Sequence, residues 1–170
     1  MAWNADATRM PYRMHSEYLR SLFLDNDLAE GRFKVEGQAV ALESIDAPIF
    51  VVSTEQDHVA PWRSVYKFHL LIDTEITFAL TNGGHNAGIL SEPGHPGRHF
   101  RLGTRKPGDL YVDPDQCLKQ NDPTDGSWWS AWTEWLESHS GDLCPPPPLG
   151  LVGTRFSAEC DAPGTYALAK

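Results

Sequence analysis

From Ile49 onward the apolar positions change rhythm and lay out a strand, a helix and a second strand. Ile49, Phe50, Val51 and Val52 are a continuous apolar run behind Pro48, the pattern of a strand covered on both faces. Asp57 stands in the turn that follows. Pro61 suits the first turn of a helix, where its missing N–H is not needed. Trp62, Val65, Tyr66, Phe68 and Leu71 then recur at helical spacing. Ile76, Phe78 and Leu80 alternate with smaller residues and predict the second strand, which runs out at Asn82-Gly83-Gly84-His85-Asn86-Ala87-Gly88. Two parallel strands joined by a helix make a right-handed crossover, and functional groups collect at the carboxyl ends of such strands. Asp57 and His85 both fall there, on adjacent loops.

The flanks are less regular. A helix is expected from Ser16, with Tyr18, Leu19, Leu22 and Phe23 on one face and Gly31 as its stop. Phe33 to Leu42 reads as a short hairpin turning at Glu36-Gly37. Residues 91–125 are polar and rich in glycine and proline, which predicts a long loop over the surface. Between Ser127 and Glu137 an amphipathic helix is predicted, with Asp125 or Ser127 as its cap. Trp128, Trp129, Trp132, Trp135 and Leu136 form its apolar face, expected to pack as core rather than to serve as a ligand platform. Pro145 to Pro148 reads as a semi-rigid polyproline linker.

The length, 170 residues, fits one domain, and the formal charge of −9 leaves no basic patch to neutralise phosphates, so a nucleic-acid partner is not expected. No apolar run approaches a membrane span, and the residues after Met1 lack the charged and apolar regions of a secretory signal. Cys117, Cys144 and Cys160 are odd in number and without pattern, as free thiols in a reducing cytosol would be.

An aspartate and a histidine at adjacent strand ends are how an orienting carboxylate and a general base are placed in α/β-hydrolases. The carboxylate fixes the imidazole tautomer and stabilises the imidazolium that forms on proton uptake. A turn aspartate beside a solvated loop histidine fits the same pattern. His95 and His99 have the spacing of metal ligands on a helix, but Pro96 and Gly97 between them oppose a helix and no third ligand clusters nearby, so no metal site is expected.

Several separate stretches carry a resemblance. Trp3-Asn4-Ala5-Asp6 with Arg9-Met10-Pro11, Tyr18-Leu19-Arg20, Asn26-Asp27-Leu28, Asp57-His58-Val59-Ala60-Pro61-Trp62 and Gly84-His85-Asn86-Ala87-Gly88 are similar to the carboxy-terminal region of polyhydroxyalkanoate synthases. Gly126-Ser127-Trp128-Trp129 and Asp161-Ala162-Pro163-Gly164-Thr165-Tyr166 resemble the end of that family. The order is kept and nearly the whole chain is covered, with the poly-3-hydroxybutyrate polymerase type as the nearest variety.

The resemblance implies the distal, carboxy-terminal part of an α/β-hydrolase fold, with parallel strands and crossover helices. Residues 1–44 would be a cap-region remnant, 45–140 the portion carrying the acid and histidine, and 141–170 a linker and tail. It implies an acyltransferase that polymerises (R)-3-hydroxyacyl-CoA and releases CoA, with no metal or prosthetic group. His85 would be the general base that generates a cysteine thiolate. Asp57 would orient His85 or help deprotonate the substrate hydroxyl. His58, Trp62, Asn4 and Asp6 would support or line the pocket, with packing also open to Trp62 and to the Asn4–Asp6 segment.

The family's cysteine lies in a nucleophile elbow upstream, and no such motif occurs here. The three cysteines follow His85, and Cys117 sits among Asp113, Asp115 and Asp122, a setting that disfavours a thiolate. The chain alone is therefore expected to be inactive. Expected partners are the upstream synthase region, a second copy through the open edge of the Ile49–Val52 strand, the acyl-CoA substrate with its polyester chain, and the surface of a cytoplasmic polyester granule. Two other functions fit parts of the pattern. One is a serine-type esterase or polyester depolymerase, which an upstream Gly-x-Ser-x-Gly would select. The other is a non-catalytic interaction module, whose effect would survive loss of His85.

Overall fold

Pro11 begins the first helix. In the computed structural model, which describes residues 9–162, 164 and 165, α1 runs Tyr12–Tyr18 and the Pro11 carbonyl accepts the His15 amide at 3.0 Å. A π-helical turn covers Leu19–Leu24. The helical stretch therefore starts earlier than Ser16 and stops well short of Gly31. Asn26 adopts a left-handed φ of 51°, which ends the helical path before the glycine is reached. The chain divides into a larger unit, Leu19–Ser140, and a smaller one drawn from its two flanking ends.

Within the larger unit the expected hairpin forms. β1 (Lys34–Val35) pairs antiparallel with β2 (Gln38–Ala39). Glu36 and Gly37 both hold positive φ, 50° and 82°, the geometry that reverses a twisted two-stranded ribbon in two residues.

The main sheet has the order β3-β4-β5-β6, with β3 at Ile49–Thr54, β4 at Ile76–Thr81, β5 at His99–Arg105 and β6 at Thr124–Asp125. β3 and β4 are parallel, Ile49 opposite Ile76 and Thr54 opposite Thr81. They are joined by α2 (Trp62–Tyr66) and a 3-10 turn over Lys67–Leu70, which together make the predicted crossover helix. Every residue of β4 is buried, as a continuous central strand requires.

The sheet is mixed rather than parallel throughout. β5 runs antiparallel to β4, and β6 antiparallel to β5. Residues 91–125 are accordingly not one long loop, since they hold β5, α3 (Pro114–Gln120) and β6. β5 escapes a hydrophobic reading because it places Arg101, Gly103 and Arg105 opposite Leu80, Phe78 and Ile76. The arginines cap helical ends there. Arg101 donates to the carbonyls of Leu118 and Asn121 at the end of α3, and Arg105 to those of His69 and Ile72. Gly103 lies between them, where a Cβ would stand 3.0 Å from the Asn121 amide nitrogen. α3 opens on Asp113, whose carboxylate accepts the amides of Asp115 and Gln116, with Pro114 in the first turn.

The core lies on the α2 face, where Trp62, Tyr66, Phe78 and Leu80 pack with Val51, Val65, Cys117 and Leu118. α4 (Trp128–Ser138) has Ser127 as its cap, accepting the Trp129 amide at 3.0 Å. It meets β3 through Phe50, stacked on Trp128 at 6.2 Å and edge-on to Trp135 at 5.7 Å. Only part of its apolar face is core. Trp128 is buried, Trp129 and Trp135 are half-buried, and Trp132 and Leu136 are exposed. In the smaller unit, residues 145–149 are exposed and without regular structure, and Gly150 bridges to Ser157 beyond them.

Candidate active site

The ends of β3 and β4 are tied together before either loop departs. The Glu55 amide donates to the Thr81 carbonyl at 2.9 Å and the Gln56 amide to that of Gly83 at 3.0 Å. Asp57 follows, and its Oδ1 accepts the Val59 and Ala60 amides at 2.9 and 2.8 Å. This local turn sets the entry into α2 and fixes the carboxylate by main-chain donors.

The same carboxylate meets His85. Nδ1 lies 2.9 Å from Oδ2 and 3.1 Å from Oδ1. A carboxylate so engaged can only accept, so Nδ1 carries the proton and Nε2 presents its lone pair. Among the described residues none hydrogen-bonds to Nε2. The His85 side chain is 45% exposed while that of Asp57 is 8% exposed, so the buried partner is the one already satisfied by amides. The Ala60 amide, then the imidazole, then the Val59 amide hold Asp57 down at about 2, against the opposing effect of burial. Asp57 therefore remains a carboxylate wherever a protein works, and the pair can accept a proton at Nε2 and stabilise the resulting imidazolium. The turn-forming role of Asp57 and its contact with His85 are both present in one residue.

The histidine loop is shaped by close backbone contact. Asn82 ties its start to β5: Asn82 Oδ1 accepts the His99 amide at 3.1 Å, and Nδ2 donates to the Gly97 carbonyl at 2.8 Å. The Gly88 amide then closes onto the Gly84 carbonyl at 3.0 Å. Gly88 rests on the end of β3, where a Cβ would stand 2.5 Å from Thr54 Cγ2 and 2.9 Å from the Asn82 carbonyl oxygen. Beyond it, α4 supplies donors. Trp128 Nε1–H reaches the Gly88 carbonyl at 3.2 Å, Trp129 Nε1–H that of Ile89 at 2.9 Å, and the Ser127 hydroxyl that of Ser91. The tryptophan pattern along α4 is visible in the sequence, but nothing there ties it to the histidine loop.

The remaining sequence candidates are dispersed. His58 is exposed in the turn after Asp57. Trp62 is buried in the core, its ring 6.2 Å from Tyr66 and under the Arg63 guanidinium. Asn4 and Asp6 lie outside the described residues. His95 bonds its neighbour's carbonyl at Pro96, and His99 Nε2 sits 3.8 Å from Glu55. No group of three metal-ligating side chains occurs among the described residues. Cys117 is half-buried and Cys144 and Cys160 are exposed, all three as free thiols. A cavity of about 420 Å³ is lined by Tyr66, His69, Phe78, Tyr111, Cys117 and Asn121. It lies toward Arg105, which pairs with the first residue of β4, whereas His85 follows the last.

A carboxylate and a hydrogen-bonded histidine at the carboxyl ends of adjacent parallel strands is a placement that α/β-hydrolases use for an acid and a base. No protein-family model matches the chain. Individual proteins do. The poly(3-hydroxyalkanoate) polymerase subunit PhaC of Rhizobium etli is 32% identical over 166 residues, which is 98% of this chain and 25% of that protein. That of Rhizobium meliloti is 34% identical over 164 residues, 96% of this chain and 26% of its own length. PhaC of Cupriavidus necator is 34% identical over 169 residues, 99% of this chain and 28% of that one. The chain is homologous to the carboxy-terminal part of the poly(3-hydroxyalkanoate) polymerases, and it spans about a quarter of the length of the relatives it matches. No helix among the described residues is long and apolar enough to cross a membrane.

Proposed function

We propose that this chain supplies the acid and histidine of a polyhydroxyalkanoate synthase, an acyltransferase acting on (R)-3-hydroxyacyl-CoA. The observation that carries the reading is the Asp57–His85 contact, 2.9 Å at Nδ1, in a chain homologous to the carboxy-terminal part of the polymerases. His85 Nε2 takes the proton of a cysteine thiol supplied by an upstream polymerase region, and the thiolate attacks the acyl thioester carbonyl. A thioester to the enzyme forms, the bond to CoA breaks, and CoA leaves as its thiol with the proton returned from His85. In the second half the 3-hydroxyl of the next unit gives its proton to a base, with His85 or Asp57 in that role, and attacks the enzyme thioester. The ester forms, the bond to the cysteine sulfur breaks, and the cysteine leaves as thiolate and regains the proton. The geometry favours His85 as that base, because Asp57 already accepts two amides and the imidazole. CoA enters only as the carrier of the substrate, and the chemistry calls for no metal or prosthetic group. Residues 1–44 correspond in this reading to the edge of a cap region, and the whole acts in the cytoplasm at the surface of a polyester granule.

The test joins the upstream part of the Cupriavidus necator relative to this chain and follows CoA release from (R)-3-hydroxybutyryl-CoA. Loss of a general base costs on the order of 10²–10⁴-fold in rate, so His85→Ala is expected to fall by that much. An active fusion whose His85→Ala form releases CoA at the unchanged rate would sink the assignment.

A further inference from the structure

We propose that Trp128 and Trp129 are positioning residues for His85, acting through their indole N–H groups on the carbonyls of Gly88 and Ile89. The inference rests on the reading of His85 as the proton acceptor and adds how its place is kept. Beyond Asn82, which pairs with His99 and Gly97, and Gly83, whose carbonyl accepts the Gln56 amide, the histidine loop has no strand ladder among the described residues. From Gly84 to Leu90 its internal amide bonds are those of Gly88 to Gly84 and of Leu90 to Asn86. The Ser91 amide donates to the Ile89 carbonyl at 3.0 Å, which leaves the carbonyls of Gly88 and Ser91, both buried, to find donors elsewhere.

Those donors, and a second one for the Ile89 carbonyl, come from the start of one helix. Indole nitrogen can only donate, and a carbonyl can only accept, so the match is unambiguous. The Ser127 hydroxyl accepts the Trp129 amide and donates to the Ser91 carbonyl, joining the helix cap to the same loop. Phe50 of β3 stacks on Trp128 and so seats the helix against the strand that leads to Asp57. His85 is thus held between a fixed start at Asn82 and a fixed end at Gly88–Ser91. Packing alone does not account for the indoles, because a phenyl ring fills most of the same space without the donor. Trp135 supplies the internal comparison. It packs edge-on to Phe50 on the same helix, yet its buried Nε1–H has no partner among the described residues.

The experiment compares Trp129→Phe and Trp128→Phe with Trp135→Phe, reading the ring ¹⁵N signals of His85 and the amide exchange of residues 88–91 in the 170-residue chain. In the donor-deleted variants the signals are expected to move from a single Nδ1-protonated form toward a tautomer mixture, and amide exchange to rise at least tenfold. Trp135→Phe leaves both unchanged. In the fusion with the upstream polymerase region the same variants lower kcat about tenfold with KM held, since a small misplacement of a catalytic group is enough for such a loss. Should Trp128→Phe fail to fold, the half-buried Trp129 gives the decisive variant. Folded Trp129→Phe protein with unaltered His85 signals and amide protection would overturn the proposal. Failure of the acyl-transfer reading shows differently, as CoA release that survives His85→Ala while the ring signals still respond to the indoles.

Discussion

His69 is a histidine kept neutral by its surroundings. It is 5% exposed, its ring lies 4.4 Å from Tyr66 and 5.9 Å from Phe78, and neither nitrogen has a partner among the described residues. Burial, with the nearby Arg105 charge, pushes it down to about 4 from the ordinary 6.5. The unfolded chain therefore takes up this proton first. Stability from His69 is complete above about 6.5 and declines as the pH falls toward about 4. Asp57 works in a lower window. Held at about 2 against an ordinary 3.8, it contributes above 3.8 and loses that contribution as the pH falls through about 2. The urea midpoint should drop between pH 6.5 and 4, and His69→Phe should flatten that drop while leaving the fall below pH 4 in place. A wild-type midpoint constant across the upper window would refute this. Asp57 and His85 were legible in the sequence because each ends a recognisable strand. His69 was not, because one buried polar side chain in a helical apolar stretch carries no period of its own.

Gly88 shows how two elements set the position of a functional loop. The loop lies so close on the end of β3 that a methyl group has no room, with Thr54 Cγ2 at 2.5 Å and the Asn82 carbonyl at 2.9 Å. Thr54 is 1% exposed and cannot swing into solvent. Gly88→Ala should destabilise by about 1–3 kcal/mol, the usual cost of overpacking, as read by chemical denaturation. Gly84→Ala is the contrasting case, since its nearest neighbour would be 4.0 Å away at the Gln56 carbonyl. Equal midpoints for the two variants would contradict the packing argument. At this scale the β3–α2–β4 unit and the hairpin could be read from local pattern, because hydrophobic period and turn residues agree there. β5 could not, since its covered face carries Arg101 and Arg105, whose partners are helix-end carbonyls far along the chain. α3 did have a signal in Asp113-Pro114, a cap followed by a first-turn proline, which the surrounding glycines and prolines concealed. For α4 the amphipathic pattern was clear, but it could not tell which tryptophans pack and which donate.

β3 closes one side of the sheet, and its second edge has no strand partner among the described residues. The amides of Ile49 and Glu55 point toward β4, bonding Glu75 and Thr81. Alternation along a strand then turns the backbone groups of Phe50, Val52 and Thr54 to the open side. A flat apolar run with unpaired donors and acceptors is a template for another chain. The 170-residue chain should therefore run larger than a monomer in light scattering coupled to size exclusion, with strand-to-strand contact at β3. Val52→Pro removes one outward amide without touching the β3–β4 ladder, and proline is tolerated at edges for that reason. The variant should shift to monomer while keeping its circular dichroism. A wild-type chain that is monomeric with a cooperative melt would sink the idea. Self-association that persists in Val52→Pro would move the contact elsewhere. The same edge is where the proposed upstream region would add its strands, so the fusion used for CoA release should be less dependent on self-association through β3 than the chain alone. Comparing the effect of Val52→Pro on the two proteins tests whether one edge serves both purposes.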